Sequence, residues 1–300
     1  MMKTNDQSKH KLRNRHRTPG YLLICAVLIL LAVVIFIPFW NSIVISFMPS
    51  SQVTLHPAAM IPYGFTLDNY ENLIVRGGLL TAYGNTILLA AGGTVYGMVI
   101  STMMAYAFSQ RFPGRRFLFV MMVITMYFSG GVIPMYLHIK DMGMLNNLST
   151  VLLMGGVSAY NIILMKNGFE NTPQSLVEAA KIDGANDFTV FLKVMLPLQK
   201  PLLATFSLFT FVGYWNTWYW PMLILRDADQ IPLMLYLRNI INQMQESLMY
   251  SGSAMQYSEG VFPMGVRMAA VVVTMLPIMC CYPFLQKYFM RGLTVGAVKQ

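Results

Sequence analysis

The chain has 300 residues, 56% of them hydrophobic and only 11% charged, with a mean hydropathy of +0.52. An ordinary soluble domain carries roughly 25% charged residues, so 21 Lys/Arg and 12 Asp/Glu are too few to clothe a soluble fold of this length. The net charge of +9 does not point to nucleic acid as a partner, because the basic residues lie between long apolar runs rather than on one soluble face.

A basic tail over 1–20 precedes six uncharged stretches, each long enough for the roughly 20 helical residues that cross a bilayer. They run Tyr21–Met48, Leu79–Ser109, Phe117–Ile139, Leu145–Met165, Pro201–Leu225 and Met268–Gln286. The first is too long for the apolar region of a signal peptide and lacks an A-x-A-like cleavage site, so it reads as an uncleaved span. Strand alternation is absent, which argues against a β-barrel. The expected fold is an all-α, polytopic membrane protein with six transmembrane helices. Placing the N-terminus in the cytoplasm puts sixteen of the 21 basic residues and five of the 12 acidic ones on the inner side. The positive-inside rule therefore places both termini in the cytoplasm. One membrane domain over 21–290 and a short cytoplasmic tail over 291–300 follow. Cys25, Cys280 and Cys281 all fall in apolar runs and the four histidines are scattered, so no disulfide framework or metal site is expected.

The polar stretch 166–200, between the fourth and fifth spans, is the longest expected on the inner side. Thr172 can cap a helix and Pro173 suits its first position. The helix-forming run Gln174 to Lys181 ends at Gly184, and Asp187 can cap a second short helix reaching Val194. Pro197 and Pro201 flank the entrance to span five. Helix, turn and helix held near the membrane make a docking element; the alternative is an amphipathic helix on the lipid surface, which its low Lys content disfavours. No G-x-x-x-x-G-K-[ST] loop, G-x-S-x-G or H-E-x-x-H occurs, so the chain encodes no ATPase or hydrolase chemistry.

The same loop reads Glu178-Ala179-Ala180, then Asp183-Gly184-Ala185, then Val194 and Leu196-Pro197. This pattern, before the penultimate span, resembles the EAA motif of permease subunits in binding-protein-dependent ABC importers. The resemblance extends to Ala105–Ser109 with Arg111, to Trp215-Asn216-Thr217-Trp218 with Pro221, and to 286–299. These segments are similar to the carbohydrate branch and its maltose-permease-like subunits. The resemblance implies a bacterial inner-membrane protein that supplies half of a translocation pathway. Implied partners are a second, different permease subunit, two ABC ATPase subunits and an extracytoplasmic substrate-binding protein. It also implies no cofactor on this chain, with ATP and Mg used by the ATPase subunits. Glu178, Ala179, Ala180, Asp183, Gly184, Ala185, Leu196 and Pro197 would form the ATPase-coupling site: Glu178 as a charged contact, the alanines for close approach, and Gly184 for a turn that a Cβ would strain.

Sugars offer hydroxyl edges and apolar faces, so a path for them calls for aromatic rings and amides. Trp215 and Asn216 in span five are assigned to that path. Trp218 and Tyr219 fit either the path or an interfacial aromatic belt. Ser129-Gly130-Gly131 with Pro134 reads either as a kink opening the path or as close helix packing. No Asp, Glu, Lys or Arg lies within the spans, and His138 at the outer edge of span three reads as interfacial, which argues against proton or sodium coupling. Competing readings are an importer of the same class for amino acids, peptides or polyamines, and a secondary transporter.

Overall fold

The computed structural model describes residues 19–76, 78–250 and 264–297; the account of side chains ends at Asn242 and, in the last helix, at Cys280. The basic tail 1–18 and residues 251–263 and 298–300 lie outside this description. Every regular element among the described residues is helical. In chain order they are α1 (Pro19–Ser46), α2 (Ser50–Leu55), α3 (Asp68–Arg76), α4 (Leu79–Ser109), α5 (Arg115–Tyr127), α6 (Val132–Asp141), α7 (Leu148–Gly155), α8 (Ala159–Glu170), α9 (Gln174–Ile182), α10 (Asp187–Leu198), α11 (Lys200–Trp215), α12 (Tyr219–Ile224), α13 (Leu233–Tyr250) and α14 (Met264–Ala297).

Two of these, α1 and α4, are each long and apolar enough to cross a membrane alone. Three further spans are met only if bent pairs are counted together: α5 with α6 at 112°, α7 with α8 at 45°, and α10 with the α11–α12 segment at 82°. Sequence hydropathy sums over such breaks, because it counts apolar residues and not backbone direction. Span three, Phe117 to Ile139, is such a case, broken where the sequence offered either a kink or close packing. Residues 128–131 interrupt it, with Gly131 at φ 87°. Among the described residues a Cβ at Gly130 or Gly131 would meet nothing nearer than 3.9 Å, so no other helix of this chain packs closely there, and the positive φ of Gly131 is what the bend asks of glycine. Span four is likewise broken around Gly155-Gly156, and α8 continues to Glu170, five residues past the expected end at Met165.

The chain divides into two compact units. In the smaller, 1–72 with 262–272, Val44, Ile45, Met48, Val53 and Ala59 form a core with Met268 packed against it. Asn69 closes this unit: its Nδ2 donates to the Ser46 and Met48 carbonyls at 2.9 Å each, satisfying groups at the frayed end of α1. By contrast, 22–37 of α1 carry an almost unbroken series of exposed aliphatic side chains, as a lipid-facing helix requires.

The larger unit, 73–261 with 273–300, is organised around α4. Backbones meet closely where side chains are smallest. A Cβ on Gly97 would lie 2.1 Å from the Gly156 carbonyl oxygen, and one on Gly93 would lie 2.3 Å from the Tyr214 ring. Tyr214, buried on α11, is wedged among Gly93, Gly155 and Gly156 and donates its hydroxyl to the Leu152 carbonyl. Small-residue contacts of this kind let apolar helices pack by van der Waals contact where lipid already removes the hydrophobic gain.

Candidate functional site

The segment after α8 is built as a platform. α9 presents Val177 and Ala180, three residues apart, to an apolar cluster of Ala105, Phe108, Met165, Phe169, Phe191 and Met195. Ala185, Leu196 and Val194 rest against the same cluster. Tyr106 at the end of α4 sits within it, its ring 4.9 Å from Phe191 and 5.8 Å from Phe169. Its hydroxyl donates to the Asp187 carbonyl at 3.3 Å. The opposite face of α9 is left to solvent: Leu176, Glu178 and Ala179 are exposed, Ile182 is 86% exposed, and Phe188 just beyond is 62% exposed.

The turn after α9 is a Schellman cap. Gly184 N–H donates to the Lys181 carbonyl and Ala185 N–H to the Ala180 carbonyl, each at 3.0 Å, with Gly184 at φ +83°. No atom crowds a Cβ there, so glycine is set by backbone conformation alone. The caps differ from the sequence expectation. Pro173 is the N-cap residue of α9, and Thr172 Oγ1 instead accepts a 3.0 Å hydrogen bond from Gln199 Nε2, which also donates to the Gly168 carbonyl. Asn186, not Asp187, caps α10, its Oδ1 accepting from Thr189 N–H at 2.8 Å. An amide fills that place as well as a carboxylate, which leaves Asp187 to pair with Lys181 at 2.9 Å. That hydrogen bond and the Asp187 charge raise the Lys181 amine above its ordinary value. The second helix also runs past Val194 to Leu198 through a π-helical turn at Phe191–Met195. Pro197 and Pro201 lack N–H donors, and the 82° bend lies between them.

An ion-pair network ties this platform to the membrane helices. Glu170 accepts from Arg115 on α5 at 2.5 Å and from Lys166, one turn back, at 2.6 Å. Lys166 is 9% exposed and also lies over the Phe119 ring. Partial burial works against the charged form of Glu170, but the hydrogen bonds and charges of Lys166 and Arg115 outweigh it and hold the carboxyl below its usual range. Sequence reading placed these residues by side of the membrane only; nothing in their spacing announced that they meet.

The assigned path residues do not converge on one cavity. A partly open cavity of about 460 Å³ lies among α7, α8, α11 and α12, lined by residues including Asn161, Thr210, Tyr214, Thr217 and Trp220. Trp215 instead points toward Phe211 and Tyr83, is buried, and keeps its Nε1 enclosed without a hydrogen bond among the described residues. Asn216 is exposed and donates to the Val212 carbonyl at 2.9 Å. Trp218 lies under the Arg238 guanidinium, 3.7 Å from its ring centroid, and Tyr219 is exposed. Gly130 and Gly131 stand apart at the α5–α6 break. Thr210, Tyr214 and Thr217 recur at helical spacing, a signal present in the sequence; nothing in the sequence set Asn161 apart from the other polar residues of span four.

Residues 97–295 match the family described as binding-protein-dependent transport system inner membrane component. The chain is 36% identical to the polygalacturonan/rhamnogalacturonan transport system permease protein YtcP of Bacillus subtilis, over 93% of this chain and 97% of the relative. It is 28% identical to the arabinooligosaccharides transport system permease protein AraQ of Halalkalibacterium halodurans, over 87% and 90%. Among solved structures, a bacterial ABC transporter involved in the import of the acidic polysaccharide alginate contains a chain 32% identical to this one. It superposes with a TM-score of 0.79, over 89% of this chain and 95% of the other. The glycine-set turn, the EAA pattern that contains it and these matches agree: the chain belongs to the binding-protein-dependent transport system inner membrane component family.

Proposed function

We propose that this chain is the permease subunit of an ATP-driven importer of oligosaccharides. It supplies half of the translocation path, takes solute from an extracytoplasmic binding protein, and couples to two separate ATPase subunits through the loop 166–200. A second permease supplies the other half. Both termini lie in the cytoplasm, and the six stretches named above serve as the membrane crossings, the third and fourth of them bent. ATP and Mg are used by the ATPase subunits, and this chain holds no cofactor of its own.

The observation that carries the reading is the divided surface of α9. Val177 and Ala180 hold the helix on its apolar seat, while Leu176, Ala179 and Ile182 face outward with small Ala179 between the two larger side chains. An apolar stripe left exposed on a short helix that is itself well seated is a surface for a partner. Glu178 and Asp183 beside it supply charge for docking, Ala185 and Leu196 brace the turn and its return against the apolar cluster, and Pro197 follows them at the surface. Rigid-body motion of an ATPase cleft around α9 would pass through the Glu170 network and the Gln199 contacts into α5, α8 and α11. Solute would pass along α11, with Asn161, Thr217 and Trp220 lining the cavity, Asn216, Trp218 and Tyr219 near its mouth, Trp215 packed behind it, and the Gly130-Gly131 break acting as a hinge.

The test is the Gly184→Val variant in the assembled complex. A β-branched residue in a left-handed conformation costs about 1–2 kcal/mol locally, so the platform should shift while the membrane helices stay packed. Solute uptake should fall at least tenfold with ATPase activity retained and membrane abundance unchanged. Normal uptake per ATP hydrolysed would remove the coupling role.

A further inference from the structure

Resting on the importer reading above, we propose that Arg238, held flat on Trp218, is a carboxylate-binding subsite on the outer side that selects acidic oligosaccharides over neutral ones. The guanidinium carbon lies 3.7 Å from the Trp218 ring centroid, a stacked cation–π contact that fixes the plane of the fork. The Arg238 Nε is enclosed and makes no hydrogen bond among the described residues. No carboxylate pairs with Arg238 among the described residues. A half-buried guanidinium whose partner among the described residues is an aromatic face has its charge-assisted hydrogen bonds still to make.

The placement suits a solute passing inward. Arg238 lies on α13, in the stretch 226–267 that reads as extracytoplasmic, and Trp218 stands two residues before Trp220, which lines the 460 Å³ cavity. A planar guanidinium fork matches a carboxylate in two parallel hydrogen bonds, a geometry that a hydroxyl or a methyl ester cannot reproduce. The names of two relatives point the same way: one is a polygalacturonan/rhamnogalacturonan permease and the other imports an acidic polysaccharide.

The experiment uses the complete transporter in proteoliposomes at saturating binding protein, with tetragalacturonate and its methyl ester as a pair of equal chain length and opposite charge state. Maltotetraose serves as a second neutral probe. Wild type should take up the acid in preference to the ester. Arg238→Gln should cut uptake of the acid by about tenfold to hundredfold, the equivalent of a lost charged hydrogen bond, and leave neutral uptake unchanged. Arg238→Lys should keep part of the acid preference, since charge survives without the fork. Trp218→Phe should keep more still. Equal loss of both probe classes in Arg238→Gln would make the residue a clamp between α12 and α13 and overturn the subsite. An unchanged acid-to-ester ratio would overturn it too, as would a wild type that imports only the neutral probes, though the importer reading would then stand. ATP-driven uptake of none of the three would strike the importer reading itself.

Discussion

At Glu170 a single carboxylate gathers Arg115 from α5 and Lys166 from its own helix, and its charge is what holds the almost buried Lys166 amine in place. Its folded-state pKa is depressed, so the pair contributes stability that is fully present above the unfolded value of about 4.3. That stability is lost as pH falls through the folded value. The thermal midpoint of the purified protein should therefore drop below about pH 4, and Glu170→Gln should flatten that limb while lowering the midpoint at neutral pH. A midpoint independent of Glu170 at pH 7 would reduce the network to a solvated surface pair. Tyr214 makes a different kind of test. Tyr214→Phe keeps the wedge but leaves the Leu152 carbonyl without that donor, a loss of about 1 kcal/mol. Gly93→Ala instead drives a methyl to 2.3 Å from the ring and should cost about 1–3 kcal/mol. Differential scanning in detergent distinguishes the two, with the glycine variant the less stable.

Among the elements, α9 is the one with one face seated on the apolar cluster and the other left exposed. Ile182 is so exposed that changing it removes almost no packing within this chain. Ile182→Asp should leave expression and melting unchanged yet reduce co-purification of the ATPase subunits at least severalfold; full recovery of the complex would move docking to another surface. The break between α5 and α6 allows a second test. Gly131 sits at φ 87°, and Gly131→Ala should cost about 1–2 kcal/mol or straighten the bend. Changed uptake kinetics with intact assembly would support a hinge in the path, and unchanged kinetics would leave the break as a static feature.

For the whole molecule the prediction concerns direction. With the three native cysteines replaced, Ile182→Cys should react with a membrane-impermeant thiol reagent only after inner-leaflet access is opened. Asp229→Cys should react from the outside. The reverse pattern would invert the assigned topology.

Hydropathy and the Lys/Arg distribution alone settled that the chain is helical and membrane-embedded, because exclusion of unsatisfied backbone from lipid leaves few alternatives to an apolar helix. The EAA pattern was legible for the same reason that Gly184 is: a left-handed turn closing a short helix is a local requirement, written within a few consecutive residues. Tertiary structure decided the rest. Asn186 and not Asp187 became the cap, Thr172 turned to Gln199, and the bends appeared within spans three and four and between α10 and α11. It also sent Tyr214 and Trp215, neighbours on α11, to different surroundings, since consecutive positions on a helix point about 100° apart. Contacts such as Gly97 with Gly156, or Arg238 with Trp218, join residues 20 or more positions apart. Only the packed helices bring them together, because no local periodicity encodes which face of one helix meets which face of another.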